Sequence, residues 1–432
     1  MKKGNSFLLT DGLVYQGGQL HRLDILVQDG RISALGENLD KLSPAGVKKY
    51  DASRKLVSPG LVDVHVHYRD PGFTYKETVK TGAQAAAHGG FTTVCAMPNV
   101  DPVPDTPERL QKMIKKNHED GCVHIKQYAA TTQDRTSDKV NDLSGLKRAG
   151  AFAFSNDGNG IQNAETMYQA MKAAAALKMP IVEHIEDDSL KKNGVMNAGR
   201  YAVELGLPGM PGLSESSQLA RDLLLAQETG VHYHACHLST RESVALVRLA
   251  KEHHINVTCE VTPHHLLLAD QDIPADDGFY KMNPPLRSTA DCAALFEGLL
   301  DGTIDMIATD HAPHAASEKM GGMCHASFGI TGSETAFALL YTRFVKTQRM
   351  SLEQLLDLMS IKPAKCFGMN DAGALFPGKP ADLAVFDLEH EYVLQEERYF
   401  SLGKNTPFTG TKVYGQTCMT FVAGELVYKK ED

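Results

Sequence analysis

The chain has 432 residues, a formal net charge of -9, 42% hydrophobic residues and 22% charged residues. That length and composition suit a soluble, well-cored protein of one or two domains and exclude a disordered or fibrous chain. The acidic balance comes with no basic run or basic-aromatic stripe, which argues against a nucleic-acid partner, so an anionic ligand would need a local cluster of cations.

The N-terminus carries Lys2 and Lys3, and its apolar stretch, Phe7 to Leu9, is cut off by Thr10-Asp11-Gly12. That is too short for a secretory leader, and no apolar run reaches the length of a membrane span. The eight cysteines are scattered without a C-x-x-C pair, as reduced thiols of a cytoplasmic protein would be. Up to about Leu56 the pattern is of short alternating runs and turns: Leu13-Val14-Tyr15, then Gln16-Gly17-Gly18, then Asp24 to Val27, then Asp29-Gly30. These predict strands and hairpins. The style returns near the C-terminus in Ala381 to Phe386 and in Thr420 to Ala423, followed by Gly424. A small β domain built from both chain ends, residues 1–57 plus 373–432, is expected.

Residues 58–372 read differently. Eight apolar strand-like runs follow one another: 61–67, 92–98, 123–130, 151–157, 180–186, 231–237, 257–262 and 305–310. Helical stretches separate them. Thr106-Pro107 is a helix start, with a capping Thr and Pro at the first helical position, and Thr166 to Leu177 has helical spacing. Eight β/α units over this length predict an α/β fold of the (β/α)8 TIM-barrel type, with a doubly wound open sheet as the alternative.

The sharpest chemical signal is Asp63-Val64-His65-Val66-His67-Tyr68-Arg69, at the end of an apolar run. On a strand, residues two apart share a face, so His65 and His67 point the same way and can chelate one ion. Such a pair is weak evidence alone. Its partners stand at the ends of later runs: Asp157, His184, His237 and Asp310. TIM-barrel enzymes place their catalytic groups at those C-terminal strand ends. Six such ligands exceed the needs of one tetrahedral zinc and suit two ions with a shared carboxylate, which would acidify a bridging water to hydroxide. Adjacent His264 and His265 would point to opposite faces of a strand, and we read them as structural or as supports behind the ligands. Asp63 and Glu183 fit either ligand orientation or buried capping. The stretch from Ala312 to Ser327, rich in Gly, Ala and Ser, reads as a lid or as a surface loop.

Together these motifs resemble the amidohydrolase superfamily and, within it, dihydroorotases of the bacterial type I kind. The most specific stretch is His65 to Gly72. It continues through Lys76-Glu77, Gly89 to Thr93, Met97-Pro98-Asn99, Met282 to Arg287, Thr309 to His314 and Phe328-Gly329-Ile330. The resemblance implies that His65, His67 and Asp310 hold a first zinc, that His184 and His237 hold a second, and that Asp157 bridges them where many relatives use a carboxylated lysine. It implies that Arg69, Asn99 and His314 bind the substrate carboxylate, that Asn283, Phe328 and Gly329 hold the pyrimidine ring, and that Asp310 is the catalytic base and acid. An Arg fork matches a carboxylate, though Arg69 could also serve a surface ion pair and Asn99 a turn. His311 competes with His314 for the carboxylate role, and the family pattern favours His314. A homodimer and an association with aspartate transcarbamoylase are expectations of the resemblance alone. The rival readings are a hydantoinase or allantoinase, which needs no carboxylate clamp, and a non-catalytic scaffold, against which the six filled ligand positions argue.

Overall fold

The computed structural model describes residues 6–44 and 46–431. Lys2 and Lys3, and with them the start of the N-terminal segment, lie outside the described residues.

All eight expected runs contain strands, and they close a barrel. The first three strands are Leu61–Val66, Phe91–Ala96 and His124–Gln127, paired in parallel. The third continues as Ala129–Ala130, which opens a second parallel series through Phe154–Ser155, Ile181–Glu183, Tyr233–Ala235, Val257–Val261 and Met306–Ile307. Tyr128 joins the two series, its N–H donating to the Ala96 carbonyl. The eighth strand returns to the first through a parallel bridge between Val66 and His311, where the His67 N–H donates to the His311 carbonyl at 2.9 Å. The open-sheet alternative is thereby excluded. Branched and sulfur-bearing side chains such as Val62, Cys95, Val182, Cys236 and Met306 fill the barrel interior, so it is a packed core rather than a channel.

Helices cover the outside where the sequence signals them. Pro107–Asp120 starts after Thr106, whose hydroxyl accepts the Arg109 N–H, and Ala164–Ala176 starts after Asn163. Their apolar sides, including Leu110, Met167 and Met171, bury against the strands. No helix among the described residues is long and apolar enough to cross a membrane.

Both chain ends build a separate sheet. Its strands run in the order Glu425–Lys429, Gln416–Val422, Leu383–Asp387, Lys55–Pro59, Phe7–Gln16, Gln19–Gln28 and Arg31–Gly36, with Lys48–Asp51 pairing the first half of Phe7–Gln16. Gly17 and Gly18, at φ 58° and 83°, make the tight turn between Phe7–Gln16 and Gln19–Gln28 that their sequence announces. Phe7, Ile25, Val57, Leu383 and Phe421 form the core of this sheet. Between Leu383–Asp387 and Gln416–Val422 the chain leaves the sheet and crosses to the barrel mouth. There Leu394, Phe408 and Val413 pack on Ala338 and Leu339, and the Ser401 hydroxyl and Leu402 N–H donate to the buried Glu77 carboxylate.

Candidate metal centre and ligand pocket

The six groups expected to hold metal converge. His65 and His67 end the first strand, and Asp157, His184, His237 and Asp310 follow the fourth, fifth, sixth and eighth. All six are buried. Asp157 is central: its carboxylate lies 3.3 Å from His65 Nε2, 3.4 Å from His67 Nε2, 3.9 Å from His184 Nδ1 and 3.6 Å from His237 Nε2. Asp310 Oδ1 faces His67 Nε2 at 2.8 Å and His65 Nε2 at 3.3 Å. The backbone is strained where these groups leave their strands. Arg69, His237 and Asp310 sit at φ 55°, 33° and 45°, a region costly for side-chain-bearing residues and frequent at functional sites.

Each histidine that points a nitrogen inward has its other nitrogen settled from behind, His237 excepted. His65 Nδ1 lies 2.6 Å from Glu260, His67 Nδ1 lies 2.8 Å from the Asn99 side-chain oxygen, and His184 Nε2 lies 3.0 Å from Glu186. Carboxylates and amide oxygens only accept, so these outer nitrogens carry protons, and the inner nitrogens are the ones turned toward the shared centre. Inner groups are left without donors: His65 Nε2 and Asp157 Oδ1 are solvent-excluded and without a hydrogen-bond partner, and His184 Nδ1 and His237 Nε2 face each other at 3.0 Å. Converging imidazole nitrogens and carboxylates in a dry site fit divalent cations of the zinc type, and the His65–His237–Asp310 and Asp157–His184–His237 sets are each close enough to share one. Burial opposes ionisation of Asp157, but His65, His237 and His67 outweigh it and hold the carboxyl well below the usual range. Burial likewise works against a charged His65, and the carboxylates of Asp157, Asp310 and Glu260 reverse that.

Above the cluster is a cavity of about 200 Å³. That is below the ~300–1,000 Å³ of drug-sized pockets and suits a small ligand. Arg69, Asn99, Asn283, His314, Phe328 and Gly329, the six residues expected to touch substrate, all line it. Arg69 is buried and has no carboxylate partner among the described residues. Its Nε donates to the Pro313 carbonyl at 3.3 Å, and burial lowers its guanidinium only to about 10, so it stays cationic. His314 donates from Nε2 to the Phe328 carbonyl at 2.8 Å. Burial, then Arg69 and Lys76, push its imidazole down to about 2, so it is neutral in the folded chain. His311 takes no part in the pocket; it is fully buried, with Nδ1 accepting the Gly332 N–H at 3.2 Å. A larger cleft, about 530 Å³, opens beside the helix Pro107–Asp120 and the end sheet, and none of the clustered metal-competent side chains lines it.

Three features differ from the sequence expectation or escape it. His264 and His265 lie on a short helix, Pro263–Leu267, because Thr262 caps a helical turn with Pro263 at its first position and ends the strand at Val261. His265 is tied to Thr262 Oγ1 and the Pro284 carbonyl, as a structural residue would be. Of the two candidate orienting carboxylates, Asp63 bonds backbone groups of His65 and Thr309 and the Thr309 hydroxyl, and Glu183 accepts the Ile161 N–H. Neither touches a ligand ring. Glu260 and Glu186 do that work, and neither carries a periodic signal in the sequence that marks it for the role. The stretch from Ala312 to Ser327 is pinned by Lys319, whose buried ammonium donates to the carbonyls of Lys281, Ser327 and Gly329 at 3.1, 2.7 and 2.9 Å. Burial and the nearby Lys281 push it down to about 7.

A (β/α)8 barrel with a His/Asp cluster at its C-terminal strand ends, beneath a small cavity, together with the relatives that follow, places the chain among the cyclic amidohydrolases. A family profile described as dihydro-orotase-like matches residues 54–243. The chain is 66% identical over 425 residues to the dihydroorotase of Ligilactobacillus salivarius (strain UCC118), covering 98% of this chain and 99% of that one. It is 62% identical over 426 residues to the dihydroorotase of Lactobacillus leichmannii, covering 99% of each. Among solved structures, the L-hydantoinase (dihydropyrimidinase) of Arthrobacter aurescens superposes with a TM-score of 0.89 at 27% identity over 99% of this chain and 96% of that one. A D-hydantoinase at 22% identity, covering 98% of this chain and 95% of that one, shares the fold with a TM-score of 0.86. The chain belongs to the dihydroorotase family.

Proposed function

We propose that the chain catalyses the reversible hydrolysis of (S)-dihydroorotate to N-carbamoyl-L-aspartate, the third step of de novo pyrimidine synthesis. The observation that carries this reading is Arg69, a buried, carboxylate-free guanidinium in the wall of a small cavity above the His/Asp cluster. A cyclic amide bearing a carboxylate supplies the partner it lacks.

In this reading His65, His67 and Asp310 would hold one zinc ion, His184 and His237 would hold a second, and Asp157 would serve both. Ions bound there would supply Lewis acidity and lower the pKa of water. The protein's own groups do the rest. Arg69 takes the substrate carboxylate with the Asn99 amide, whose oxygen is already engaged by His67. Asn283 and the Phe328–Gly329 turn hold the ring; His314, expected on the carboxylate, has its one proton committed to the Phe328 carbonyl and fixes that turn instead. Asp310 keeps Oδ1 toward His65 and His67, which leaves Oδ2 to accept the proton of the attacking water and return it to the leaving ring nitrogen.

The proposal includes the division of the chain at residues 57/58 and 372/373, a cytoplasmic location, a homodimer, and association with aspartate transcarbamoylase. Light scattering of the purified protein, alone and mixed with the transcarbamoylase, checks the last two. The test of function is ring opening measured on dihydroorotate, hydantoin and allantoin in parallel. Turnover of dihydroorotate above the two carboxylate-free rings is expected. Preference for hydantoin, toward which the structural likeness to hydantoinases leans, would replace this reading.

A further inference from the structure

Glu186 lies two residues past His184, outside the six metal-competent groups, and its side chain is almost fully buried. Its carboxylate receives three donors. His184 Nε2 stands at 3.0 Å, Asn283 Nδ2 at 2.6 Å and Lys191 Nζ at 2.7 Å. His184, Asn283 and Lys191 all line the ligand cavity.

A carboxylate can only accept. The proton of His184 therefore sits on Nε2, and Nδ1 is left bare toward Asp157 and His237. By the same logic the group of Asn283 facing Glu186 is its NH₂, so its carbonyl oxygen is the atom left for a ligand, as an acceptor that reads an N–H. Lys191 neutralises the buried charge, which would otherwise be costly. A purely structural ion pair would require only Lys191. Engagement of one cation-facing histidine and one ligand-facing amide by the same two oxygens is what sets Glu186 apart.

We infer that Glu186 is a positioning residue that fixes the His184 tautomer and the Asn283 amide together, and so couples the cation-binding half of the site to the ring-binding half. The inference rests on the proposed function for the identity of the ring, but its first consequence is readable without substrate.

The experiment compares wild type, Glu186→Gln and Lys191→Met. Zinc affinity of the metal-stripped proteins is measured by competition with a chromophoric chelator. Glu186→Gln turns an NH₂ toward the donors and should weaken zinc binding by about 10- to 100-fold, the usual effect of losing a ligand's orienting partner. At saturating zinc it should raise the KM for dihydroorotate about tenfold, the value of one hydrogen bond, with a smaller change in kcat. Lys191→Met removes the charge partner but leaves the His184–Glu186–Asn283 contacts in place, so it should lower stability and weaken zinc binding clearly less than Glu186→Gln does. Unchanged zinc affinity in Glu186→Gln, or an equal loss in Lys191→Met, overturns the inference in favour of simple charge balance. Should Glu186→Gln fail to fold, the ¹⁵N shifts of His184 in the metal-stripped wild type decide: a proton on Nε2 supports it and a proton on Nδ1 overturns it. Failure of the wild type to open dihydroorotate would strike the proposed function and leave the zinc comparison standing.

Discussion

Nδ1 of His65 lies 2.6 Å from Oε1 of Glu260, with both side chains fully buried. The same carboxylate receives His234 Nε2 at 3.1 Å and the His237 N–H at 3.3 Å, so one acid on the seventh strand aligns groups on the first and sixth. Replacing Glu260 with Gln should destabilise the fold by about 3 kcal/mol, because breaking a buried ion pair strands its partner. Guanidinium denaturation of the metal-stripped protein measures this. An unaltered midpoint would mean that His65 is held by other contacts.

Arg69 leads to a prediction about substrate rather than stability. Arg69→Met should lower kcat/KM for dihydroorotate by at least about a hundredfold, as when one partner of a desolvated charge pair is truncated. Arg69→Lys should not restore it, since an ammonium cannot match a carboxylate in two places. Zinc content should not change. Unaltered kinetics in Arg69→Met would remove the carboxylate clamp.

Lys319 pins the loop beside Phe328 and Gly329 through three carbonyl contacts. Lys319→Met leaves the Ser327 carbonyl without its donor, while the Gly329 carbonyl keeps Asn405 and the Lys281 carbonyl keeps the Gly329 N–H, and should cost about 1–3 kcal/mol of stability. It should also loosen the ring-binding turn. Faster amide hydrogen exchange confined to residues 315–330 is the expected signature, and unchanged exchange there would show that the loop is held by its backbone alone.

His314 contributes a share of the pH dependence that one substitution can isolate. Its pKa is pushed down to about 2 in the folded chain, chiefly by burial and then by Arg69 and Lys76. The unfolded chain binds the proton near 6.5, so between 6.5 and 2 the unfolded state holds more protons and stability falls as pH falls. Above 6.5 the group contributes nothing to the slope. From pH 6.5 to 5 the loss is about 2 kcal/mol, from ~1.4 kcal/mol per pH unit for one proton. Denaturant titrations at the two pH values should show this extra loss in the wild type and not in His314→Asn. Equal losses in both would place the titration elsewhere.

Much of this site could be read from the chain because strand geometry is periodic. A repeat of two puts His65 and His67 on one face, and runs that end in Asp157, His184, His237 and Asp310 put those groups at one end of a parallel barrel. The groups behind them were not legible. Glu260 lies within Val257–Val261, where an acid among apolar residues looks like an outward-facing position, and only barrel closure turns it toward His65. Glu186 gains its role from Asn283, nearly a hundred positions away. His264 and His265 sit on a helix rather than a strand because strand alternation does not continue past Thr262-Pro263, a pair that starts a helix, while the structural reading of His265 stands. The crossing of the C-terminal segment to the barrel mouth, where Asn405 accepts the His314 N–H at 2.8 Å and donates to the Ala312 and Gly329 carbonyls, has no periodic signature.

The most direct test of the central claim joins metal content to turnover. The purified protein is assayed for bound zinc and for dihydroorotate ring opening, then stripped with a chelator, assayed again, and reloaded. About two zinc ions per chain, with activity that disappears on stripping and returns on reloading, is the result expected of this cluster. Full dihydroorotate turnover by protein stripped of metal would contradict it.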